Sequence, residues 1–296
     1  MKHLIGVTRP NFLTLTLVCI FLAYALSVQQ DAAVSGQDLL LVVLLALAAH
    51  VSVNAFNEYF DFKSGLDFLT KATPFSGGSG TLIESPQYAS STLFIAVAAL
   101  LITVACGLLL AWLHSWHLLW LGVLGVVIIY TYTQYLNRSP FLCWLAPGLG
   151  FGLCMTLGAA WVLSGQFSIA TLLAALIMTL LVSNLLLLNQ FPDIEADRQV
   201  GRRHLPIVYG RVFSSRVFAL THGVALLLLI VGVAVGVLPA AALLGLLALP
   251  LAVWLVYGVL KQAQSIAIPV HLLALNVACI HVLPLGMAIG LLLSTR

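Results

Sequence analysis

Nine apolar stretches follow one another along a chain of 296 residues, at about 10–28, 39–60, 92–113, 117–135, 143–164, 169–191, 214–236, 238–260 and 268–293. Each is close to the ~20 residues a helix needs to cross the hydrocarbon core of a bilayer. Inside that core a helix keeps every backbone N–H and C=O paired within its own segment. The expectation is an all-α fold, a polytopic membrane bundle of nine transmembrane helices, forming one domain over residues 1–296. Composition agrees, with 62% of residues hydrophobic, 7% charged and a mean hydropathy of +1.12.

The few charges then predict orientation. Alternate assignment of the nine spans puts Lys2, Arg9, Lys63, Lys71, Arg138, Arg198, Arg202, Arg203, Arg211, Arg216 and Lys261 on one face, which is eleven of the twelve basic residues. Because lysine and arginine mark cytoplasmic loops, the N-terminus is expected inside and the C-terminus outside. The net charge of +3 therefore reports topology and gives no support for nucleic-acid binding. Ala23-Tyr24-Ala25 has the small-residue pattern of a leader cleavage site, but eight further spans follow and the first run is read as a retained helix. Cys19, Cys106, Cys143, Cys154 and Cys279 are scattered without C-x-x-C spacing, as buried small hydrophobes would be.

Two long cytoplasmic loops, 61–90 and 192–213, each follow a span that ends in Asn-x-x-x-Asp: Asn57 and Asp61, then Asn189 and Asp193. The offset of 132 residues covers four spans. This predicts two pseudo-repeated four-helix halves plus one extra helix, with a site where the halves meet. On a helix, Asn57 and Asp61 share a face that runs back through Asn54 to His50, and Asn189, Asp193 and Asp197 form a ladder at i, i+4 and i+8. Ionisable groups at membrane depth default to functional roles, and two clusters at a matched offset are more than headgroup-level helix caps require. Asn57, Asp61, Asp67, Asn189, Asp193 and Asp197 are accordingly the candidate metal ligands. Hard oxygens suit Mg2+ shared with substrate phosphates; the absence of histidine and cysteine from the ladders argues against zinc.

Candidate phosphate contacts surround these acids. Ser76-Gly77-Gly78-Ser79-Gly80 lets successive backbone N–H groups turn toward an anion, with Ser76 and Ser79 as hydroxyl donors. Lys63, Lys71, Arg138, Arg198, Arg202 and Arg203 lie on the same face, and Tyr130 and Tyr132 end the fourth span. Acids beside basic residues fit a magnesium diphosphate better than a bare cation, although a cation-coupled transporter using the same acids is the rival from another class. His50 has the ordinary pKa of a general base, or serves as a hydrogen-bonded structural group. Glu58 and Glu195 fall off the ladder faces and are expected to be solvated, while His222, His271 and His281 show no metal-like pattern.

Taken together, these motifs resemble those of the UbiA-type superfamily of intramembrane prenyltransferases. The likeness rests on Asn57/Asp61/Asp67 and Asn189/Asp193/Asp197, on Gly201–Gly210 (GRRHLPIVYG), similar to the family's G-K-x-T-L stretch, and on Arg9-Pro10 ahead of the first helix. It implies transfer of an isoprenoid chain from its diphosphate to an acceptor, usually aromatic, in the membrane of a prokaryotic cell. Asp61, Asp67, Asp193 and Asp197 would be the catalytic acids, with Mg2+ between the motifs. The six-residue gap from Asp61 to Asp67 looks like the branch that prenylates 1,4-dihydroxy-2-naphthoate on the way to menaquinone. This chain departs from that branch in having Phe151 where an acid often follows Gly-Leu-Gly, Arg202 for the usual lysine and His204 for the usual threonine. A hydroxybenzoate, a chlorin, haem or a glycerol phosphate lipid remain open as acceptors.

Overall fold

The computed structural model describes residues 5–70, 77–265 and 268–295, and among these every regular element is helical. The principal helices are α1 (Thr14–Gln29), α2 (Gly36–Ser64), α3 (Ala89–Leu113), α4 (Leu118–Thr131), α5 (Pro140–Ser164), α6 (Ile169–Asn189), α7 (Gly210–Ala234), α8 (Ala240–Lys261) and α9 (Val270–Leu293). Eight are long and apolar enough to cross a membrane, as in a multi-pass integral membrane protein. The expected fourth span is shorter: α4 has 14 residues, about 21 Å of helix. The chain then turns through Tyr132–Tyr135 into a single helical turn at Leu136–Arg138.

Successive helices pack side by side, and α9 returns to α1 to close the ring. The Thr14 hydroxyl and His281 Nε2, 3.1 Å apart, tie those two ends together. The halves use matching devices. Both α2 and α6 begin at a serine N-cap, Ser35 and Ser168, whose hydroxyl accepts an N–H of the first turn and so satisfies a donor the helix cannot. Five residues before each motif asparagine, a polar side chain grips the neighbouring helix. Ser52 donates to the Ala96 carbonyl at 2.8 Å, and Asn184 donates to that of Phe218 at 2.8 Å.

Close approach at the centre depends on two glycines of α5. A Cβ on Gly148 would lie 2.1 Å from the Thr179 carbonyl oxygen, and one on Gly152 would lie 2.4 Å from that of Ala175. This G-x-x-x-G pair seats α5 against α6, as small residues do where helices pack in lipid. The turn of α5 between Leu149 and Leu157 winds wider than an α-helix. The Thr156 hydroxyl supports that winding by donating to the Phe151 carbonyl, five residues back, at 2.8 Å.

Gly152→Ala should therefore force α5 off α6. We expect it to destabilise the fold by about 1–3 kcal/mol, read as a lowered thermal midpoint in detergent. Gly150→Ala, whose Cβ would meet only the Ile128 side chain at 3.9 Å, should melt like the wild type.

Candidate active site

A cavity of about 690 Å³ lies between the halves. On the α3 and α4 side its walls are apolar, with Val104, Leu108, Leu119 and Val123. At the opposite end Asn57, Asp61, Asp67, Asn189, Asp193 and Asp197 all face it, so the six expected oxygen donors line one chamber.

The first motif follows from how α2 ends. Gly65 takes φ 81°, a left-handed conformation that only glycine adopts freely, and its N–H closes onto the carbonyls of Asp61 and Phe62. The chain turns at once into Leu66–Phe68 and buries Asp67. Gly78 packs on that carboxylate so tightly that a Cβ would stand 2.6 Å from Asp67 Oδ1.

The second motif corrects the expected ladder. Asn189, Asp193 and Asp197 do not share one helix: α6 stops at Asn189, and a separate short helix, Ile194–Gln199, begins after Asp193. Pro192 is the physical reason. It has no N–H to donate and its ring would strike the carbonyl four residues back. The three side chains nevertheless line the same cavity, because the break is short and the Asp197 N–H bonds the Asp193 carbonyl at 2.8 Å.

Arg202 joins the motifs. One Nη bonds Asp61 Oδ1, and the other bonds Asp197 Oδ1 at 3.0 Å. The remaining oxygens are also held: Asn57 Nδ2 donates to Asp61 Oδ2 at 2.9 Å, and His204 Nε2 lies 2.9 Å from Asp197 Oδ2. The loop after the short helix is pinned by the Arg203 N–H, which donates to the Asn137 carbonyl at 2.8 Å.

Glu58 overturns an expectation. It is not solvated but 1% exposed, paired with Arg9 at 2.6 Å and accepting from the Ser79 N–H at 2.7 Å and hydroxyl at 2.8 Å. Arg9 reaches it from φ 49°, an uncommon conformation for a non-glycine residue. A buried carboxylate needs such partners, and here they tie the chain's start and the glycine-serine loop to α2. The sequence signal was Arg9-Pro10 itself, a cation immediately before the first span. Glu195 is solvent-exposed and pairs with Arg198 at 2.9 Å, as expected of a solvated acid.

Of the other sequence candidates, Tyr132 and Arg202 line the cavity, and Ser79 acts behind it on Glu58. Lys63, Arg138, Arg198, Arg203 and Tyr130 are exposed and outside the lining. Lys63 stacks over Tyr59, and Tyr130 packs edge-on against Phe56. Lys71 and Ser76 fall outside the described residues. Thr133, Asn137 and His204, which sequence reasoning did not single out as site residues, support Asn57, the Arg203 loop and Asp197 respectively.

The charges are unevenly matched. Burial opposes the Arg202 charge, but Asp61 and Asp197 outweigh it and hold its pKa above the ordinary value. Among the described residues the carboxylates of Asp67 and Asp193 form no hydrogen bond or ion pair. Burial, then the nearby Asp61 for Asp67 and Asp197 for Asp193, pushes each up to about 7. No three acidic, histidine or cysteine side chains among the described residues stand close enough to form a ready-made metal cluster, since Arg202 fills the gap between the motifs. The donor chemistry fits a hard divalent cation all the same, with two under-neutralised carboxylates and amide oxygens on one chamber.

The family model described as the UbiA prenyltransferase family matches residues 16–278. The 1,4-dihydroxy-2-naphthoate octaprenyltransferase of Bacillus subtilis is 28% identical over 224 residues, 74% of this chain and 69% of that one. The digeranylgeranylglyceryl phosphate synthase of Methanobrevibacter smithii is 23% identical over 216 residues, 73% of this chain and 72% of its own. Among solved structures, the apo UbiA homologue from Aeropyrum pernix K1 superposes with a TM-score of 0.73 at 20% identity, covering 95% of this chain and 98% of its own. A UbiA homologue from Archaeoglobus fulgidus bound to DMAPP and Mg2+ gives a TM-score of 0.61 at 14% identity over 99% of both chains. With two aspartate motifs facing one cavity in a helical membrane bundle, and a family model matched over most of its length, this chain belongs to the UbiA prenyltransferase family.

Proposed function

We propose that this enzyme transfers an isoprenoid chain from its diphosphate to 1,4-dihydroxy-2-naphthoate within the bilayer, as one intramembrane domain. The observation that carries the chemistry is a cavity that is acidic and amide-rich at one end and apolar along the α3 and α4 wall. A lipid-soluble tail matches the apolar wall. The acceptor rests on the likeness to the naphthoate octaprenyltransferase and on the Asp61-to-Asp67 spacing.

When bound, Mg2+ would be held by Asp67 and Asp193 with Asp61, Asp197 and the two asparagines, and it would neutralise charge on the departing diphosphate. The residues of the chain divide the remaining work. Arg202 binds diphosphate oxygens through a guanidinium already aimed into the chamber, a charge-assisted contact. The apolar wall excludes water, which would otherwise capture the allylic cation. An acceptor ring carbon forms the new bond to the allylic carbon as the carbon–oxygen bond to diphosphate breaks, and the ring then loses a proton.

Membranes carrying the protein, given labelled prenyl diphosphate and a panel of acceptors, should prenylate the naphthoate. Excess chelator should stop the reaction, and Mn2+ should restore it. Turnover of a glycerol phosphate lipid alone would replace this acceptor; cation flux in proteoliposomes without prenyl transfer would discard the enzyme reading.

Two variants separate chemistry from folding. Asp193→Asn removes a carboxylate that has no ion-pair partner among the described residues, so activity should fall at least about 100-fold while the thermal midpoint holds or rises. Asp61→Asn should lose activity and stability together, because it leaves Arg202 buried with one partner. In the metal-free fold Asp67 and Asp193 titrate near 7, above the ordinary 3.8. The fold thus binds these protons more tightly than the unfolded chain, and its stability falls as pH rises from 3.8 toward 7. Metal binding needs the carboxylates, so Mg2+ affinity measured by calorimetry should weaken about 100-fold from pH 8 to 6, and about tenfold in Asp193→Asn.

The charge distribution supports an inward N-terminus and site. In a cysteine-free background, Gln87→Cys, at an exposed position, should react with an impermeant thiol reagent only from the cytoplasmic side. Labelling from outside the cell would invert the topology.

A further inference from the structure

The cavity has a second polar wall, formed by the segment before α1, by α2 and by α9, where Asn11, His50 and His281 face it. The two imidazoles are in different states. Both nitrogens of His281 are engaged, Nδ1 with the Val277 carbonyl at 2.8 Å and Nε2 with the Thr14 hydroxyl at 3.1 Å. His50 is engaged at Nδ1 alone, 2.7 Å from the Thr16 hydroxyl.

That contact fixes its tautomer. Among the described residues the Thr16 hydroxyl has no other hydrogen-bond partner, so its proton is satisfied only if it donates to Nδ1. The ring proton of neutral His50 then sits on Nε2, the edge left for the cavity. Phe151 fixes the ring's plane, its centroid 4.9 Å away and nearly perpendicular. An N–H held this way and facing only alkyl chain would lack a partner, at a cost of about 1–3 kcal/mol. His50 is seven residues before Asn57 on α2, about 10 Å along the helix, within reach of a substituted bicyclic ring that extends from the reacting centre.

We propose that His50 positions the acceptor, its Nε2–H donating to a hydroxyl or carboxylate oxygen of an aromatic ring, while the isoprenoid lies along the apolar α3 and α4 wall. This rests on the prenyl-transfer reading above. It assigns to His50 a specificity role, with Thr16 and Phe151 holding the imidazole in its donor state.

The test uses the full chain in lipid nanodiscs, with prenyl diphosphate and 1,4-dihydroxy-2-naphthoate each varied. His50→Phe should raise the acceptor KM about 10- to 100-fold and leave the prenyl diphosphate KM within about twofold. His50→Gln, whose amide N–H reaches near the Nε2 position, should recover most of the loss. Thr16→Val, which keeps the ring and frees its tautomer, should raise the acceptor KM about threefold or more, and it carries the test if His50→Phe does not accumulate. An unchanged acceptor KM in these variants, or an equal rise in both KM values, would overturn the proposal. If the wild type ignores the naphthoate but uses another hydroxyaryl acceptor, the same comparison is made with that acceptor; use of a glycerol phosphate lipid alone would overturn both this inference and the acceptor assignment.

Discussion

One guanidinium joins the functional ends of the two halves. Arg202 holds Asp61 from the first motif and Asp197 from the second, and without it two buried carboxylates would face one cavity with no guanidinium between them. Buried ion pairs add little net stability once desolvation is counted, so the gain here is arrangement. The pair sets the spacing of the motifs, and the neighbouring contacts of Asn57 and His204 orient the oxygens that are left.

The scaffold serves that arrangement. Serine caps start α2 and α6, Ser52 and Asn184 lock each to its neighbour, and Gly148 and Gly152 bring α5 against α6. All of these place helix ends, where a chain can leave regular geometry with its backbone groups still satisfied. The site is assembled at those ends. Gly65 and Pro192 act there in opposite ways: one turns the chain sharply back, and the other halts a helix so that Asp193 can begin the next.

Much of this was legible in the sequence, for physical reasons. A bilayer imposes a length and an apolar composition that can be read directly, which is why eight of nine spans were recovered and the ninth differed only in length. The motif acids were legible because charge at membrane depth is rare. The helical ladder through Asp197 was misread because the i, i+4, i+8 pattern was followed through Pro192, a residue that ends helices. Glu58 was misread because its partners, Arg9 and Ser79, are distant in sequence, and periodicity carries no information about what a loop will cover. The basic residues divided for a similar reason: the bias that puts arginine and lysine on one side of a membrane operates on whole loops, so it could not distinguish Arg202, turned into the chamber, from Arg198 and Arg203, turned to solvent.

The contact between α1 and α9, with Thr14 and His281 at its end, has a meaning for biosynthesis. Among the nine helices α1 finds a neighbour in α9, so the ring stays open until α9 has been made. Until then the acidic chamber is an unsealed polar surface in the membrane. A chain that stalls before α9 therefore presents buried charge to lipid or to other helices, and insertion factors that shield such surfaces have to retain this protein until α9 is in place.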